Sequence, residues 1–142
     1  MRSGTENVPM ILGFGAACEA ACDHLPDKLR KMEQRKQQCL DLLAKEVPQA
    51  VILGSHQAPH ILSLAIPGVR SQGLIGYLQE QGVYVSAGSA CSRGHRSHVL
   101  EAMGLDPQLI DGSIRVSLSD ETTEDDIRAF ASALEEAIAA LR

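Results

Sequence analysis

Short apolar runs of strand length alternate along this chain with longer segments whose apolar residues recur at helical spacing. Four runs have the length and composition of strands: residues 51–53, 61–66, 83–85 and 114–118. The second run alternates its side chains with the period of two that is typical of a strand, and Pro67 with Gly68 ends it. The alternation between strand-like and helical spacing of the apolar residues predicts an α/β fold, in which a sheet of about four strands has helices packed against it.

Helix-start signals precede the helical segments. Asn7 can cap a first helix that tolerates Pro9 in its first turn and continues through an Ala-rich stretch to Cys22, and we expect this helix to pack through its small side chains. Pro26 opens a second helix with one apolar stripe: Leu29, Met32, Cys39, Leu40 and Leu43. Its bases lie largely off that stripe and are predicted to be solvated: Lys28, Lys31, Arg35 and Lys45. Three later helices are predicted to begin after capping side chains: Ser71, Ser97, and Thr122 or Thr123.

The composition fits one globular domain that does not bind nucleic acid. With 142 residues, of which 44% are apolar, the chain can bury a core. The net charge of −5 comes from scattered acids without a basic stripe, which argues against nucleic acid as a partner. The four cysteines are neither dense nor regularly spaced, so the pattern favours a reducing, cytoplasmic location over a disulfide framework.

The apolar stretch from Val8 to Cys22 could be mistaken for a secretory signal. However, Glu6 occupies the position of a basic region, Pro9 opens the stretch and Glu19 interrupts it. The stretch is also too short to span a bilayer. We therefore predict neither a signal peptide nor a membrane span.

The segment at residues 86–94 carries the strongest indication of chemistry. It follows a predicted strand, lacks large apolar side chains and is rich in glycine and serine, so we expect an exposed, mobile loop. Its cysteine, Cys91, is therefore not expected to pack in the core, and nearby positive charge favours the nucleophilic thiolate. The bases near Cys91 in the sequence are Arg93, His95 and Arg96. The remaining cysteines have small or apolar neighbours and are predicted to be buried, inert thiols: Cys18, Cys22 and Cys39.

Two further features are candidates for binding anions. Arg115 lies between Ile114 and Val116, so the strand period turns it away from the apolar face. It is either a solvated arginine or a planar fork for a carboxylate. Residues 2–7 place hydroxyls, a glycine and backbone amides before a helix, which suits a phosphate but also suits a simple helix cap.

Cys91 also permits two other interpretations. Together with His95 and His98 it has a spacing that zinc could use, but no fourth ligand is evident, and we predict no metal site. A redox-sensing thiol is the second alternative, although the chain has no CxxC pair and no resolving cysteine near Cys91 in the sequence.

Three anchors together resemble the C-terminal region of cysteine desulfurases, pyridoxal-phosphate enzymes of the class V aminotransferase type. The anchors are residues 2–7, 86–92 and 113–126, in the expected order and spacing, and the resemblance covers essentially the whole chain. The run Ser-Ala-Gly-Ser-Ala-Cys-Ser is similar to that of the subgroup with a long, flexible catalytic loop. In that subgroup the enzyme supplies scaffold proteins for iron–sulfur clusters and tRNA thiolation. The resemblance implies the small C-terminal domain of such an enzyme.

The resemblance implies a role for each matching residue. Cys91 matches the nucleophile that takes sulfur from cofactor-bound L-cysteine, leaves L-alanine, and passes the persulfide sulfur to an acceptor protein. Arg115 matches the arginine that holds the substrate carboxylate. Thr5 matches the threonine that contacts the cofactor phosphate, in the family from the neighbouring subunit of a homodimer.

The chain also departs from the family pattern. The family's Schiff-base lysine, its neighbouring histidine and the acid that pairs with the pyridine nitrogen belong to a large domain that would precede Arg2. The four lysines of this chain fall instead in one helical segment: Lys28, Lys31, Lys36 and Lys45. Near Ser119 and Asp120, where the family often has glycine and arginine, the local charge at the substrate end differs.

We therefore expect two parts in this chain. Residues 1–24 are predicted to be a linking segment and helix that joins the large cofactor domain, and residues 25–142 the small domain with its catalytic loop at 86–94. On this interpretation Met1 begins in the middle of a family sequence, and the isolated chain is expected to be inactive. The alternative is a stand-alone sulfur carrier or binding module that uses Cys91 without its own cofactor. A structural domain with an incidental Cys91 is disfavoured by the three ordered anchors.

Overall fold

The computed structural model of this chain describes residues 4–55, 57–87 and 96–142. These residues form the following elements: α1 (Val8–Cys22), α2 (Leu25–Glu46), β1 (Val51–Leu53), β2 (Ile61–Ala65), α3 (Ser71–Glu80), α4 (His98–Ala102), α5 (Pro107–Asp111), β3 (Ser113–Ser117) and α6 (Glu124–Leu141). The predicted α/β class is confirmed, and the three strands lie within one residue of their predicted bounds.

The three strands form an antiparallel sheet in the order β1-β2-β3. The register pairs Leu64 of β2 with Ile52 on one side and with Ile114 on the other. Paired side chains share a face, so these apolar residues form one row across the sheet. The next pair, Ser63 and Arg115, lies on the opposite face.

Helices α2, α3 and α6 supply the apolar side chains that meet the sheet. The largest fully buried residues come from both layers and form one cluster, which includes Leu62, Leu64, Ile114, Leu43, Leu74, Leu78 and Leu134. Burying each leucine side chain contributes about 1.5–3 kcal/mol to folding. The core therefore lies between one face of the sheet and this helical layer, and β3 extends from the core to the candidate site.

The predicted fourth strand at residues 83–85 is not formed. Only Ser86 pairs with β3, as an isolated bridge to Arg115. Residues 83–85 form no strand, and Tyr84 and Ser117 are among the residues that line a groove of about 290 Å³. Tyr84 is 80% exposed. The prediction of about four strands was therefore one too many for the described part of the chain, because a Val-Tyr-Val run favours a strand but does not supply its partner.

Most of the predicted helix caps are confirmed. Asn7 Oδ1 accepts a backbone N–H of the first turn of α1 at 3.3 Å, and Ser97 Oγ does the same for α4 at 3.5 Å. Thr123 and Asp126 form a reciprocal capping box at the start of α6. Ser71 does not cap α3, because it is already the first helical residue, and no side chain caps that helix.

Helix α1 packs differently from the prediction. Every residue of α1 is exposed, and Leu12 and Phe14 expose 68% and 74% of their surface. Cys18 and Cys22 are exposed as well, so the prediction of buried thiols is wrong for both, whereas Cys39 is 1% exposed and confirms it. Apolar residues surround α1 without a polar stripe, so the helix has no single face to pack on this domain. None of the described helices is long and apolar enough to cross a membrane.

Two bases of α2 connect this helix to other elements. Arg35 was predicted to be solvated, but it donates to the Thr122 carbonyl at 3.2 Å and forms an ion pair with Glu124 at 2.9 Å. Hydrogen bonds from Arg35 and Gln38 lower the pKa of Glu124. Lys36 is 4% exposed and donates to the Ala58 carbonyl at 2.8 Å, and burial lowers its pKa. Both side chains therefore hold α2 against the domain.

Candidate functional site

Arg115 lies on the sheet face that the strand period predicted. Its side chain is exposed on β3, whereas Ile114 and Val116 on either side of it are buried. In the described ranges the Arg115 guanidinium makes no hydrogen bond or ion pair. Its five N–H donors are therefore available for a planar, two-pronged contact with a carboxylate.

The backbone of Arg115 holds the chain at the start of the cysteine segment. The Ser86 N–H donates to the Arg115 carbonyl at 3.1 Å, and the Arg115 N–H donates to the Ser86 carbonyl at 2.6 Å. The two residues exchange both bonds, as in a closely spaced antiparallel pair. Since Arg115 also pairs with Ser63 of β2, a row of three residues crosses the sheet here. Ser86 precedes Cys91 by five positions in the sequence.

An ion pair holds the chain at the other end of that segment. Arg96 donates from Nε to Asp111 Oδ1 at 2.7 Å and from Nη2 to Asp111 Oδ2 at 2.8 Å, which is the two-pronged geometry of the strongest such pairs. These hydrogen bonds lower the pKa of the Asp111 carboxyl and raise the pKa of the Arg96 guanidinium. The charge of Arg96 is therefore matched by Asp111, which weakens the predicted contribution of Arg96 to thiolate formation at Cys91.

The junction between α5 and β3, which carries Asp111, is closely packed. Ile110 is 6% exposed, and the Gly112 carbonyl accepts the Ile66 N–H at 3.1 Å. A β-carbon at Gly112 would lie 2.8 Å from the carbonyl oxygen of Val69 and still closer to that of Ile66. Only glycine permits this approach of the two backbones. The junction is thus a fixed support for both Asp111 and β3.

Cys91 lies outside the described residues, as do His95 and the other residues from 88 to 95. Its role as a nucleophile therefore stays a prediction, and the disfavoured zinc alternative is not tested by the described residues. Among the described thiols, Cys39 is unsuited to nucleophilic chemistry because burial raises its pKa to about 11. The exposed thiols Cys18 and Cys22 lie one helical turn apart on α1, which sequence reasoning did not anticipate.

The described residues do not form a pyridoxal-phosphate site by themselves. Thr5 is exposed in the segment before α1 and has no hydrogen-bond partner among the described residues. All four lysines lie on α2. Lys36 is buried against Ala58, and Lys28 Nζ donates to the carbonyl of Ala20 at the end of α1. Neither of these two lysine contacts reaches a residue of β3.

The groove beside β3 was not predicted from the sequence. Its floor is apolar, with Val116, Leu118 and Phe130, and Asp126 is among its polar lining residues. It shares β3 with Arg115, and both buried and exposed residues of that strand are among its lining, namely Val116 and Ser117, whereas Arg115 itself is not. In the described ranges no group of three or more histidine, cysteine or acidic side chains is arranged to hold a metal ion.

Comparisons with known proteins agree on one family. The pattern of the family described as Aminotransferase class-V matches residues 1–130. A cysteine desulfurase of Enterobacter agglomerans is 34% identical over 145 aligned residues, which cover 99% of this chain and 36% of that protein. The solved structure of a NifS-like protein is 33% identical, with a TM-score of 0.83 over 99% of this chain and 36% of its own. A NifS-like protein from Rickettsia africae has the same TM-score at 32% identity, covering 97% of this chain and 36% of its own.

These matches cover nearly all of this chain but only about a third of each relative, 36% in all three cases. The resemblance to cysteine desulfurases inferred from three short anchors is confirmed over the whole chain. The agreement of the backbone with NifS-like proteins also confirms the fold, since their TM-scores of 0.83 are reached at 32% and 33% identity. With the family pattern matching residues 1–130 of 142, this chain belongs to the class V aminotransferase family.

Proposed function

We propose that this chain is the C-terminal part of a pyridoxal-phosphate-dependent cysteine desulfurase, in which Cys91 takes the sulfur of L-cysteine as a persulfide. The observation that carries this proposal is the pairing of Ser86 with Arg115, because it joins the start of the Cys91 segment to the strand that bears Arg115, whose guanidinium has no ion pair among the described residues. The similarity to cysteine desulfurases supplies the reaction.

Chain length limits the separation of the two groups. Cys91 follows Ser86 by five residues, and an extended chain covers at most about 3.6 Å per residue, so Cys91 lies within about 18 Å of Ser86. Ser86 is itself hydrogen-bonded to Arg115. One small substrate that carries both a carboxylate and a sulfur can therefore engage Arg115 and be reached by Cys91, and L-cysteine is such a substrate.

The reaction at Cys91 is a sulfur transfer. The Cys91 thiolate forms a bond to the sulfur of L-cysteine while the bond between that sulfur and the substrate β-carbon breaks. The electron pair of the broken bond stays on the carbon, which takes up a proton and becomes the methyl group of L-alanine. The sulfur remains on Cys91 as a persulfide. Arg115 contributes by fixing the carboxylate, which orients the substrate toward the thiolate.

The cofactor belongs in this proposal to a domain that these residues do not supply. Pyridoxal phosphate, when bound to the whole enzyme, provides the electron sink that the reaction needs. We assign residues 1–24 to the connection with that domain, Thr5 to the cofactor phosphate in the neighbouring subunit of a homodimer, and residues 25–142 to the small domain. The exposed apolar side chains of α1 support this assignment, because a domain packed on α1 would bury them.

The proposal extends to the fate of the sulfur. A persulfide on Cys91 can be attacked by the thiol of a second protein, so we assign an acceptor or scaffold protein as partner, in the synthesis of iron–sulfur clusters or thiolated tRNA. A cytoplasmic location agrees with this role, because a reducing compartment keeps the thiol of Cys91 free.

The test uses the full-length protein and measures L-alanine and sulfide formed from L-cysteine. Cys91→Ser should abolish both products. Arg115→Lys should lower kcat/KM by about 10- to 100-fold, since a lysine cannot reproduce both prongs of the contact and the loss of one charge-assisted hydrogen bond costs about 1.5–3 kcal/mol. Ser117→Ala, an exposed change on the same face of β3, is the matched control and should retain parental kinetics. Parental kinetics in Arg115→Lys would contradict the carboxylate role.

The isolated chain separates the proposal from the sulfur-carrier alternative. With pyridoxal phosphate and L-cysteine it should form no alanine above the rate of the free cofactor. If Cys91 nevertheless gains one sulfur atom by mass spectrometry when a separate desulfurase and L-cysteine are supplied, the chain acts as a carrier. If the isolated chain forms alanine on its own, the assignment of the cofactor chemistry to a missing domain is wrong.

A further inference from the structure

The segment that carries Cys91 is held at both ends by contacts to one rigid part of the domain. At its start, Ser86 is paired with Arg115 through two backbone hydrogen bonds. At its end, Arg96 is held by both carboxylate oxygens of Asp111. Asp111 is the last residue of α5 and lies four positions before Arg115, with Gly112 locked between them against the backbone of Ile66.

The positions of the two contacts along the chain are symmetrical about the cysteine. Cys91 is five residues from Ser86 and five from Arg96. Chain length keeps Cys91 within about 18 Å of Ser86 and within about 18 Å of Arg96. The second limit restricts the position of Cys91 relative to the sheet only when Arg96 is itself held in place. Fixing the second end also removes part of the conformational freedom of the connecting residues.

We propose that Arg96 and Asp111 form a positioning pair, which fixes the C-terminal end of the Cys91 segment to the α5–β3 junction and so sets where Cys91 acts relative to Arg115. The effect of this pair on catalysis rests on the proposed desulfurase function, whereas its effect on position does not. Other charges lie near the pair, namely Glu101 and Asp106 beside Arg96 and Arg70 beside Asp111. None of them has a two-pronged contact with either partner among the described residues.

The first test measures position without any assay of activity. Cys18 and Cys22 are changed to serine, Ser117→Cys adds a second thiol on β3, and spin labels are placed on Cys91 and on that thiol, while buried Cys39 stays unlabelled. Arg96→Ala and Asp111→Ala should each broaden the distance distribution relative to the parent. The exchange Arg96→Asp with Asp111→Arg should narrow it again. Arg128→Ala is the matched control, since it removes an exposed arginine that is paired with acids on α6.

The second test measures sulfur transfer in the full-length protein. Arg96→Ala should lower kcat by about 10- to 100-fold, as expected for a misplaced reacting group, with the KM for L-cysteine little changed, and the exchanged pair should recover most of the loss. Melting is followed in the same samples, and Arg96→Gln replaces any alanine variant that melts below the parent.

An unchanged distance distribution in both alanine variants overturns the positioning pair, as does failure of the exchanged pair to narrow it. Broadened distances with parental kcat overturn the catalytic part of the proposal. If the parent protein itself forms no alanine, the proposed function fails, and the distance measurement still decides whether the pair positions Cys91.

Discussion

Apolar side chains are buried between the sheet and its helical layer but are exposed on helix α1. Leu64 and Leu134 in the core are 0% exposed, whereas Leu12 and Phe14 of α1 are 68% and 74% exposed. Both regions begin their helices with a side-chain cap, Asn7 for α1 and Thr123 for α6. Local signals therefore determine where a helix begins, but they do not determine whether the helix is buried.

The distribution of apolar residues around each helix explains the difference. Helix α6 has one buried stripe that faces the sheet: Ile127, Phe130, Ala131, Leu134 and Ile138. Helix α1 is apolar on all sides and has no buried residue in this chain. A helix of that kind is normally enclosed within a larger protein. The comparison thus agrees with the proposal that α1 contacts a domain beyond these residues.

The largest expected effect comes from matched leucine truncations in the two regions. Leu134→Ala should lower the free energy of unfolding by about 2–5 kcal/mol, because it leaves a cavity in a fully buried cluster. Leu12→Ala should change it by less than about 0.5 kcal/mol in the isolated chain. Urea unfolding of both variants measures these values. A large loss in Leu12→Ala would mean that α1 packs on the domain in solution.

The second comparison uses glycines. Gly112→Ala should destabilise the chain by about 3 kcal/mol, the upper end for overpacking, because the new methyl group meets two backbone carbonyls that cannot rotate away. Gly15→Ala is the control in α1, where a β-carbon meets nothing within 4 Å, and it should raise helicity. Circular dichroism and urea unfolding distinguish the two. Equal stability of parent and Gly112→Ala would show that the α5–β3 junction is not rigid.

Period and capping signals predicted much of this fold. The face of Arg115 followed from the strand period alone, and Thr123 was one of the two residues predicted to cap α6. These features depend on neighbours within a few positions of the chain. The failed strand at 83–85 and the exposure of Cys18 depend instead on partners distant in sequence, which period and propensity do not specify.

The candidate site was predictable only in part, for the same reason. Cys91 was selected by the composition of its own segment, and Arg115 by its strand. The contact between Arg96 and Asp111 joins residues 15 positions apart, and the sequence shows only that both are charged. Sequence reasoning therefore assigned Arg96 to thiolate formation, whereas the structure pairs it with a carboxylate.

The third comparison concerns thiols. Burial raises the pKa of Cys39 from 9.0 to about 11, so at pH 8 its thiolate fraction is about 100-fold below that of an ordinary thiol. Timed iodoacetamide labelling with peptide mapping should show Cys18 and Cys22 reacting at least that much faster than Cys39. Cys91 is expected to react first, because bases flank it in the sequence. Equal rates at Cys39 and Cys18 would mean that the core opens readily.

The same shift predicts a pH dependence of stability. A thiol whose pKa is raised by folding is protonated more readily in the folded chain, so its contribution is fully present below pH 9 and is lost as the pH rises toward 11. The loss should approach about 2–3 kcal/mol. Cys39→Ala should be less stable at neutral pH but show a smaller decline over this window. If parent and variant decline in parallel, Cys39 is not the titrating group.

The smallest expected effect separates the two caps. Thr123→Ala removes one partner of the capping box on a helix that supplies much of the core, and should lower the free energy of unfolding by about 1 kcal/mol. Asn7→Ala removes a similar bond from α1, but the core should unfold at the parental urea concentration because α1 is not packed against it. Only the contribution of α1 to the helical circular dichroism signal should fall. A chain in which both variants shift the urea midpoint equally would have α1 coupled to the core, and the contrast between the two regions would be wrong.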